Sequence, residues 1–448
     1  MIGISTTLEA ILRAKEERVF KQKELLNRFP GASLISLSLN IPGHIKLSHE
    51  AVVVHACAHK TVLETLETEG FELLFHESKV ALTGAESFFV CAAKAKVLKV
   101  MTCKIENSHP LGRLMDIDVL DTTGSILSRS DLGLSKRQCF LCGDEAHTCA
   151  RAQKHTYLEL NSHIRALVQQ HAFAESMALW CERAMKTEVE LTPKPGLVDR
   201  ANSGAHDDMD IQTFYMSIDA IKPFAVRFIQ TAHTYAHEEA KGSFKRLRKI
   251  GIVCEKAMFE ATKGVNTHKG MIFCLAVLCG ALGRLSANNE AFTCKALQVQ
   301  MQALCHNLVE DDLLLAKSTS AGARFFYESG SAGIRAVAQS GFAIIFESAL
   351  PFFVKCKAEE GEDIALKKTL LILMSLLEDS TLWSRGGMEG LIYVKTKAQE
   401  LLHKKHHTKN LDALLSEFDT DMTLKNLSPG GSADLLALTW LLSNVTVI

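Results

Sequence analysis

Two stretches of this chain set acids, bases and turn residues at spacings that chemistry could use. In Gly112-Arg113-Leu114-Met115-Asp116-Ile117-Asp118-Val119-Leu120-Asp121, the strand period of two puts Asp116 and Asp118 on one face and Met115, Ile117 and Val119 on the other. Two carboxylates so placed can share a magnesium ion, which neutralises phosphate oxygens while a hydroxyl attacks and pyrophosphate leaves. A bare D-x-D is also the pattern of an ordinary solvated strand face. The second stretch is Thr192-Pro193-Lys194-Pro195-Gly196-Leu197-Val198-Asp199-Arg200, followed by Gly204-Ala205-His206-Asp207-Asp208-Met209. Turn chemistry this charged, set between two helical patterns, is rarely a mere connector.

Cys139-Phe140-Leu141-Cys142 supplies a C-x-x-C knuckle, with His147, Cys149 and His155 after it. The second pair, a cysteine and a histidine, is irregular for zinc, so packed or redox-sensitive thiols are the preferred reading and zinc the alternative. The tract Leu402-His403-Lys404-Lys405-His406-His407 has a zinc-like composition and reads as a solvated helix end.

The elements that must position these residues change character along the chain. Thr7 to Phe29 has a helical pattern, and Ile35, Leu37, Leu39 and Ile41 interleave with Ser36, Ser38 and Asn40 as in a half-buried strand. His49 to Glu69 reads as helix, Phe71 to Phe75 as strand, Glu86 to Val100 as helix and Leu114 to Leu120 as strand, which predicts an α/β or α+β domain. From about Tyr157 long helical patterns take over, and only Pro223, Pro351 and Pro429 follow Pro195, which predicts an all-α second domain. The expected domains are 1–165 and 170–448, with the junction near Leu160 to Ala174, in or beside a helix.

A chain of 448 residues exceeds what one core usually serves. Its net charge of -1 argues against a general nucleic-acid binder, though local basic pockets remain open to phosphates. The apolar runs Met271 to Gly283 and Leu435 to Leu442 are short for a membrane span and read as buried helices. Met1 to Arg18 holds no apolar core of signal-peptide length, and the thirteen scattered cysteines suggest reduced thiols, so a cytoplasmic location is expected.

The segment from Thr192 to Met209 resembles the signature of the triphosphoribosyl-dephospho-coenzyme A synthases. Further blocks match that family in order: Gly264-Val265-Asn266-Thr267-His268-Lys269-Gly270, Ser331-Ala332-Gly333-Ile334-Arg335, Arg385-Gly386-Gly387 and Ser428-Pro429-Gly430-Gly431-Ser432-Ala433-Asp434. Asn40-Ile41-Pro42-Gly43 with Lys46, then Glu106, His109-Pro110-Leu111-Gly112-Arg113 and Leu127-Ser128-Arg129, resemble the holo-citrate lyase synthases, which are phosphoribosyl-dephospho-coenzyme A transferases. The two resemblances imply a bifunctional transferase. Its helical half, with a site of triphosphate-binding type, would join ATP to 3′-dephospho-coenzyme A with release of adenine. Its first half, nucleotidyltransferase-like, would move the product onto a serine of the acyl carrier protein (gamma) subunit of citrate lyase and release pyrophosphate.

The resemblance also implies roles. Asp116 and Asp118 would bind magnesium, with Lys46, Arg113 and Arg129 on the triphosphate. In the helical half, Asp199 and Asp208 would serve as magnesium or general-base carboxylates, with Glu188 a weaker candidate. His206 and His268 would transfer protons or donate to phosphate, and Lys194, Lys269, Arg335 and Arg385 would bind triphosphate. Gly386, Gly387, Gly430 and Gly431 would let backbone amides approach phosphate, and Asp434, one turn into the last helix, would cap it or bind magnesium. Ala323, Ala336 and Thr381 stand where the family usually has glutamate, glycine and asparagine. Those departures leave open a carrier-binding protein whose helical half has lost catalysis, and the same chemistry serving malonate decarboxylase is a further alternative.

Overall fold

A computed structural model of the chain describes residues 6–315, 321–403 and 410–446. The chain divides into two compact units, Met1–Ala172 and Phe173–Ile448.

The first unit runs α1 (Leu8–Arg28), β1 (Ser33–Leu39), α2 (His49–Thr68), β2 (Leu73–Ala81), β3 (Gly84–Cys91), α3 (Ala95–Ser108), β4 (Met115–Leu120) and α4 (Ala146–Arg151), and ends within α5 (Tyr157–Glu190). The strands form one sheet in the order β2-β3-β1-β4, and every neighbouring pair is antiparallel. With no parallel pair to bridge, the unit is α+β rather than α/β.

Alternation along each strand sends two apolar sets to opposite faces. Ile35, Leu37, Phe89, Ile117 and Val119 pack with Val54 and Ala58 of α2 and Leu98 and Ile105 of α3. Leu34, Phe88, Val90 and Leu120 pack with Leu25 of α1 on the other face. Covered on both sides, β1 is fully buried along most of its length, not half-buried as its alternation suggests. Ser36 is tolerated there because Gln22 of α1 donates to its hydroxyl at 3.0 Å. The helix expected from Glu86 to Val100 is corrected: Phe88 to Cys91 belong to β3, and α3 starts at Ala95. A run of aromatic and β-branched residues buried on both faces has no period of two to betray it.

The regular elements among the second unit's described residues are all helical. It comprises the rest of α5, α6 (Ile211–Thr234), α7 (Ala240–Ala261), α8 (Lys269–Ala287), α9 (Cys294–Leu304), α10 (Ala321–Ser329), α11 (Ile334–Gln339), α12 (Leu350–Glu360), α13 (Glu362–Leu376), α14 (Ser380–His403), α15 (Leu411–Leu424) and α16 (Gly430–Val445). Two helices are apolar nearly all round, α8 and α16, and both run through the core. By length and composition α8 could cross a membrane, but 72% of its apolar window is buried, as in a core helix. In the histidine-rich tract, residues 404–409 lie outside the described residues.

The first turns of these two helices meet, Asp434 of α16 lying against Gly270 of α8, and the loop from Leu191 to Asp210 reaches the start of α16 where His206 bonds Ser428. Asp210 begins α6 with a capping box, accepting from Thr213 N at 2.8 Å.

Candidate active sites

In the first unit, a cleft of about 1080 Å³ opens beside β4, an edge strand. Asp116 and Asp118 line it, from positions opposite Ser38 and Ser36 on the sheet. Arg113 and Arg129 line it too, with Lys99, Lys136, Arg137 and Lys154. Against these six cations stand three carboxylates, those of Glu106, Asp116 and Asp118. Lys136 pairs with Glu145 at 3.1 Å and Lys154 with Asp144 at 2.7 Å, so the positive character of the cleft rests on Lys99 and the three arginines.

Glu106 organises the arginines. It is 2% exposed and accepts from Ile117 N at 3.0 Å, from Arg129 at 2.9 Å and from Arg137. Arg137 also reaches Asp116 at 3.4 Å. One carboxylate thus holds two guanidinium groups that would otherwise repel, and Arg129 Nε remains buried without a protein partner. Desolvation and the neighbouring Arg137 and Arg129 lower the pKa of Arg113. Burial, then Asp116, raises that of Asp118. Mutually repelling carboxylates with oxygen donors on one strand face suit a hard divalent cation.

Lys46 is not among the lining residues. Its ammonium donates to the main-chain oxygen of Ile41, closing a local turn. Lys99, Lys136 and Arg137 went unnoticed in the sequence, because lone cations in a polar loop or on an amphipathic helix carry no pattern.

The four donors of Cys139, Cys142, Cys149 and His155 lie within 4.8 Å of one another, and none of these cysteines is in a disulfide. The fourth donor is His155 rather than His147, since the left-handed backbone at Gln153 turns the chain back after α4.

In the second unit, the loop before α6 is tied down at several points. Asp199 accepts from the backbone N–H groups of Lys194, Ala201 and Asn202 at 3.1, 2.7 and 3.0 Å. Its oxygens shape the turn. Asp419, on α15, accepts from Gly196 N at 2.8 Å and Asn202 Nδ2 at 2.9 Å. Gly196 has φ +72°, and a Cβ there would collide with the main-chain oxygen of Leu427.

Arg385, near the start of α14, donates to His206 Nδ1 at 3.0 Å, to Ala205 O at 2.7 Å and to Asn426 at 2.6 Å. With Nδ1 accepting, His206 Nε2 carries the proton and donates to Ser428 Oγ at 2.9 Å. Desolvation and Arg385 lower the His206 pKa, so the ring is neutral. Asp208 lies 3.8 Å from the same ring with 57% of its side chain exposed.

A more deeply buried group surrounds the N-termini of α8 and α16. Lys194 is 1% exposed and its ammonium is taken by Glu188, through the carboxylate and through the main-chain oxygen at 2.9 Å. Lys194, expected on the triphosphate, is thus held by Glu188 in this structure. Thr267 donates to Ser217 Oγ at 2.7 Å, which leaves the Ser217 proton for His268 Nδ1, also at 2.7 Å. His268 Nε2 therefore carries a hydrogen, and it is buried with no protein partner. Desolvation and then Lys194 push the His268 pKa down to about 3. The ring can donate a hydrogen bond but does not shuttle protons near neutrality.

Asp434 packs against Gly270, where any side chain would strike its carboxylate. Desolvation, then Glu188 and Asp379, raise its pKa well above the carboxylate range. Asp379 accepts from Ser432 N at 2.9 Å and Thr381 N at 2.9 Å, and so caps α16 and α14 together. The amide of Ser432, near the Gly430-Gly431 pair, is consequently satisfied by a carboxylate. Gly386 packs on Leu427, and Gly387, at φ +62°, breaks α14.

Two of the expected triphosphate ligands are engaged elsewhere. Lys269 pairs with Glu255 at 3.0 Å with 56% of its side chain exposed, and Arg335 pairs with Asp312 at 3.2 Å. Of the four nominated cations, Arg385 is the one that meets His206 and Asp208.

Comparison with known proteins covers both units. Residues 174–447 match the family model CitG, ATP:dephospho-CoA triphosphoribosyl transferase, and residues 6–171 match CitX, apo-citrate lyase phosphoribosyl-dephospho-CoA transferase. Protein CitXG of Haemophilus influenzae is 37% identical over 98% of this chain and 96% of its own length. A probable 2-(5''-triphosphoribosyl)-3'-dephosphocoenzyme-A synthase of Photobacterium profundum is 45% identical over 58% of this chain and 85% of its own. The synthase of that name from Pectobacterium atrosepticum is also 45% identical, over the same shares.

Proposed function

This chain belongs to the CitX and CitG families, one in each unit, and on that premise we propose that it makes and then installs the prosthetic group of citrate lyase. In the helical unit, C1 of the ATP ribose is joined to the 2′-hydroxyl of 3′-dephospho-coenzyme A. The ribose–adenine C–N bond breaks, a C–O bond forms, the hydroxyl proton is lost, adenine leaves protonated, and the triphosphate stays attached. In the first unit, a serine oxygen of the apo acyl carrier protein, the gamma subunit, attacks the innermost phosphorus of that triphosphate and pyrophosphate departs.

The observation that carries this reading is the cleft beside β4, where Arg113, Arg129, Arg137 and Lys99 surround a pair of strand carboxylates. Such a layout fits a ready-made triphosphate and a metal, and the unit acts as a nucleotidyltransferase. Arg113, Arg129 and Arg137 grip phosphate oxygens. Asp116 and Asp118 hold magnesium, which when bound neutralises charge on the phosphates.

In the helical unit, Arg385 holds triphosphate beside His206, and His268 Nε2 donates to the substrate. Asp434, which burial and the neighbouring Glu188 and Asp379 hold toward its protonated form, would ionise when a second magnesium binds and offer it an oxygen ligand. Thirteen cysteines with no disulfide among them accord with a cytoplasmic site of action.

Incubating the full chain with ATP, magnesium and 3′-dephospho-coenzyme A should yield free adenine and a triphosphoribosylated coenzyme. Formation of pyrophosphate or ADP at this step would sink the reading.

A further inference from the structure

The cysteine cluster of the first unit has no part in either reaction, yet it forms one wall of the cleft. Cys139, Cys149 and His155 are all lining residues, as are Arg137 and Lys154 on the same stretch of chain.

The local geometry is that of a metal knuckle. Cys139 N donates to Asp144 O at 2.7 Å, Ala146 N donates to Arg137 O at 2.9 Å, and Gln138 bridges Glu145, so the chain reverses tightly around the C-x-x-C. Leu141 N donates to Cys139 Sγ at 3.4 Å, the kind of N–H···S contact that stabilises a thiolate. Cys149 arrives from α4 and is 5% exposed.

The spacings fit one ion. With Zn–S near 2.3 Å and Zn–N near 2.0–2.1 Å, a tetrahedron has S···S edges of about 3.8 Å and S···N edges of about 3.5 Å. Cys142 and Cys149 sulfurs are 3.8 Å apart, and His155 Nε2 is 3.2 Å from Cys142 Sγ. A disulfide would need the sulfurs to close to about 2.0 Å. Three soft sulfurs and an imidazole select zinc over the magnesium expected at Asp116 and Asp118. Four protein donors leave no open position, which marks a structural rather than a catalytic ion.

The segment also needs a fastening. Between β4 and α5 its regular elements are one short helix, α4, and a single 3-10 turn. Among the described residues of that stretch, Cys149 is the one apolar side chain counted as buried. Phe140, stacked on His163 at 5.6 Å, and Leu127 add two partly buried anchors. So little apolar burial does not by itself hold a loop of this length, and a metal cross-link supplies what a core would.

We propose that Cys139, Cys142, Cys149 and His155 bind one zinc ion in a closed tetrahedral site that pins the wall of the cleft, with Arg137 and Lys154 on it. The ion takes no part in bond making. It stands on the donor geometry alone and does not depend on the reaction assigned to the cleft.

The test uses the full chain, purified without chelators. Elemental analysis and native mass spectrometry should find about one zinc per chain, falling below about 0.1 in Cys142→Ser. His155→Cys, which keeps four donors, should retain about one zinc and guards against simple misfolding of the serine variant. Cobalt in place of zinc should give the intense visible bands of a tetrahedral thiolate site in the wild type and in His155→Cys. Limited proteolysis between residues 133 and 156 should accelerate at least about tenfold on zinc removal and slow again on its return. Adenine release by the helical unit, measured in the same samples, should not change.

Zinc-free wild-type protein that takes up no cobalt, a Cys142–Cys149 disulfide in its place, or undiminished zinc in Cys142→Ser would overturn the proposal.

Discussion

The two sites handle charge in opposite ways. Beside β4 the cations outnumber the carboxylates, and Arg113, Arg129 and Arg137 crowd together around Glu106, which holds two of them, with Asp116 also reached by Arg137. At the N-termini of α8 and α16 the charges are already matched or neutralised. Lys194 is locked to Glu188, His206 and His268 are neutral, and Asp434 is raised toward its neutral form. An open cationic cleft suits capture of a highly charged, finished nucleotide. A buried, pre-arranged polar group suits a step in which charge develops on a sugar carbon, where fixed dipoles and a dry surrounding act most strongly. The same contrast predicts how each site will fail.

The largest effect should come from Asp434→Asn. If this carboxylate acts in the transition state, adenine release should fall by orders of magnitude, while carrier labelling from preformed triphosphoribosyl-dephospho-coenzyme A continues. Stability should move the other way. Asp434 has a folded-state pKa above its unfolded value, so its favourable contribution is complete below the unfolded pKa and is lost as pH rises through the folded one. The neutral asparagine escapes that loss, and near neutral pH the variant should melt higher, by about 2–4 °C for each kcal/mol regained. Lower melting together with wild-type turnover would remove Asp434 from the site.

A smaller effect is expected from Arg137→Ala in the cationic cleft. It should raise KM for the triphosphoribosylated substrate about tenfold, the scale of one charge-assisted hydrogen bond of about 1.5 kcal/mol, and leave adenine release alone. Wild-type transfer should also weaken with added salt more than adenine release does, since an open cationic surface is screened and buried pairs are not. Equal salt sensitivity of the two steps would contradict the comparison.

Lys269→Ala marks the small end. Its exposed pair with Glu255 should contribute no more than about 1 kcal/mol to stability. Adenine release should stay within about twofold of wild type, a change under about 0.5 kcal/mol in the barrier. A collapse of activity would bring Lys269 back onto the triphosphate.

What the sequence made legible follows from what each feature depends on. The face shared by Asp116 and Asp118 needs only a local period of two, and β4 displays it. The change from a mixed unit to a helical one was equally readable, from long apolar periods and sparse proline after Tyr157. The burial of Ser36 was not, because it depends on α1 folding back over the sheet. Nor was β3, whose doubly buried run lacks a period. Among site residues, Asp419 and Asp379 stand beside other acids, Glu417, Asp421 and Glu378, with nothing local to single them out, and their value arises from backbone N–H groups far along the chain. The C-x-x-C was visible, but the selection of His155 over His147 rests on a turn at Gln153.

The central claim is that one chain holds two separable active sites, and Asp118→Asn tests it most directly. Given ATP, magnesium, 3′-dephospho-coenzyme A and apo carrier protein together, the variant should release adenine at the wild-type rate and accumulate the triphosphoribosylated coenzyme. Carrier labelling and pyrophosphate release should both stop. Labelling at the wild-type rate, or loss of adenine release in a variant that melts normally, would contradict it.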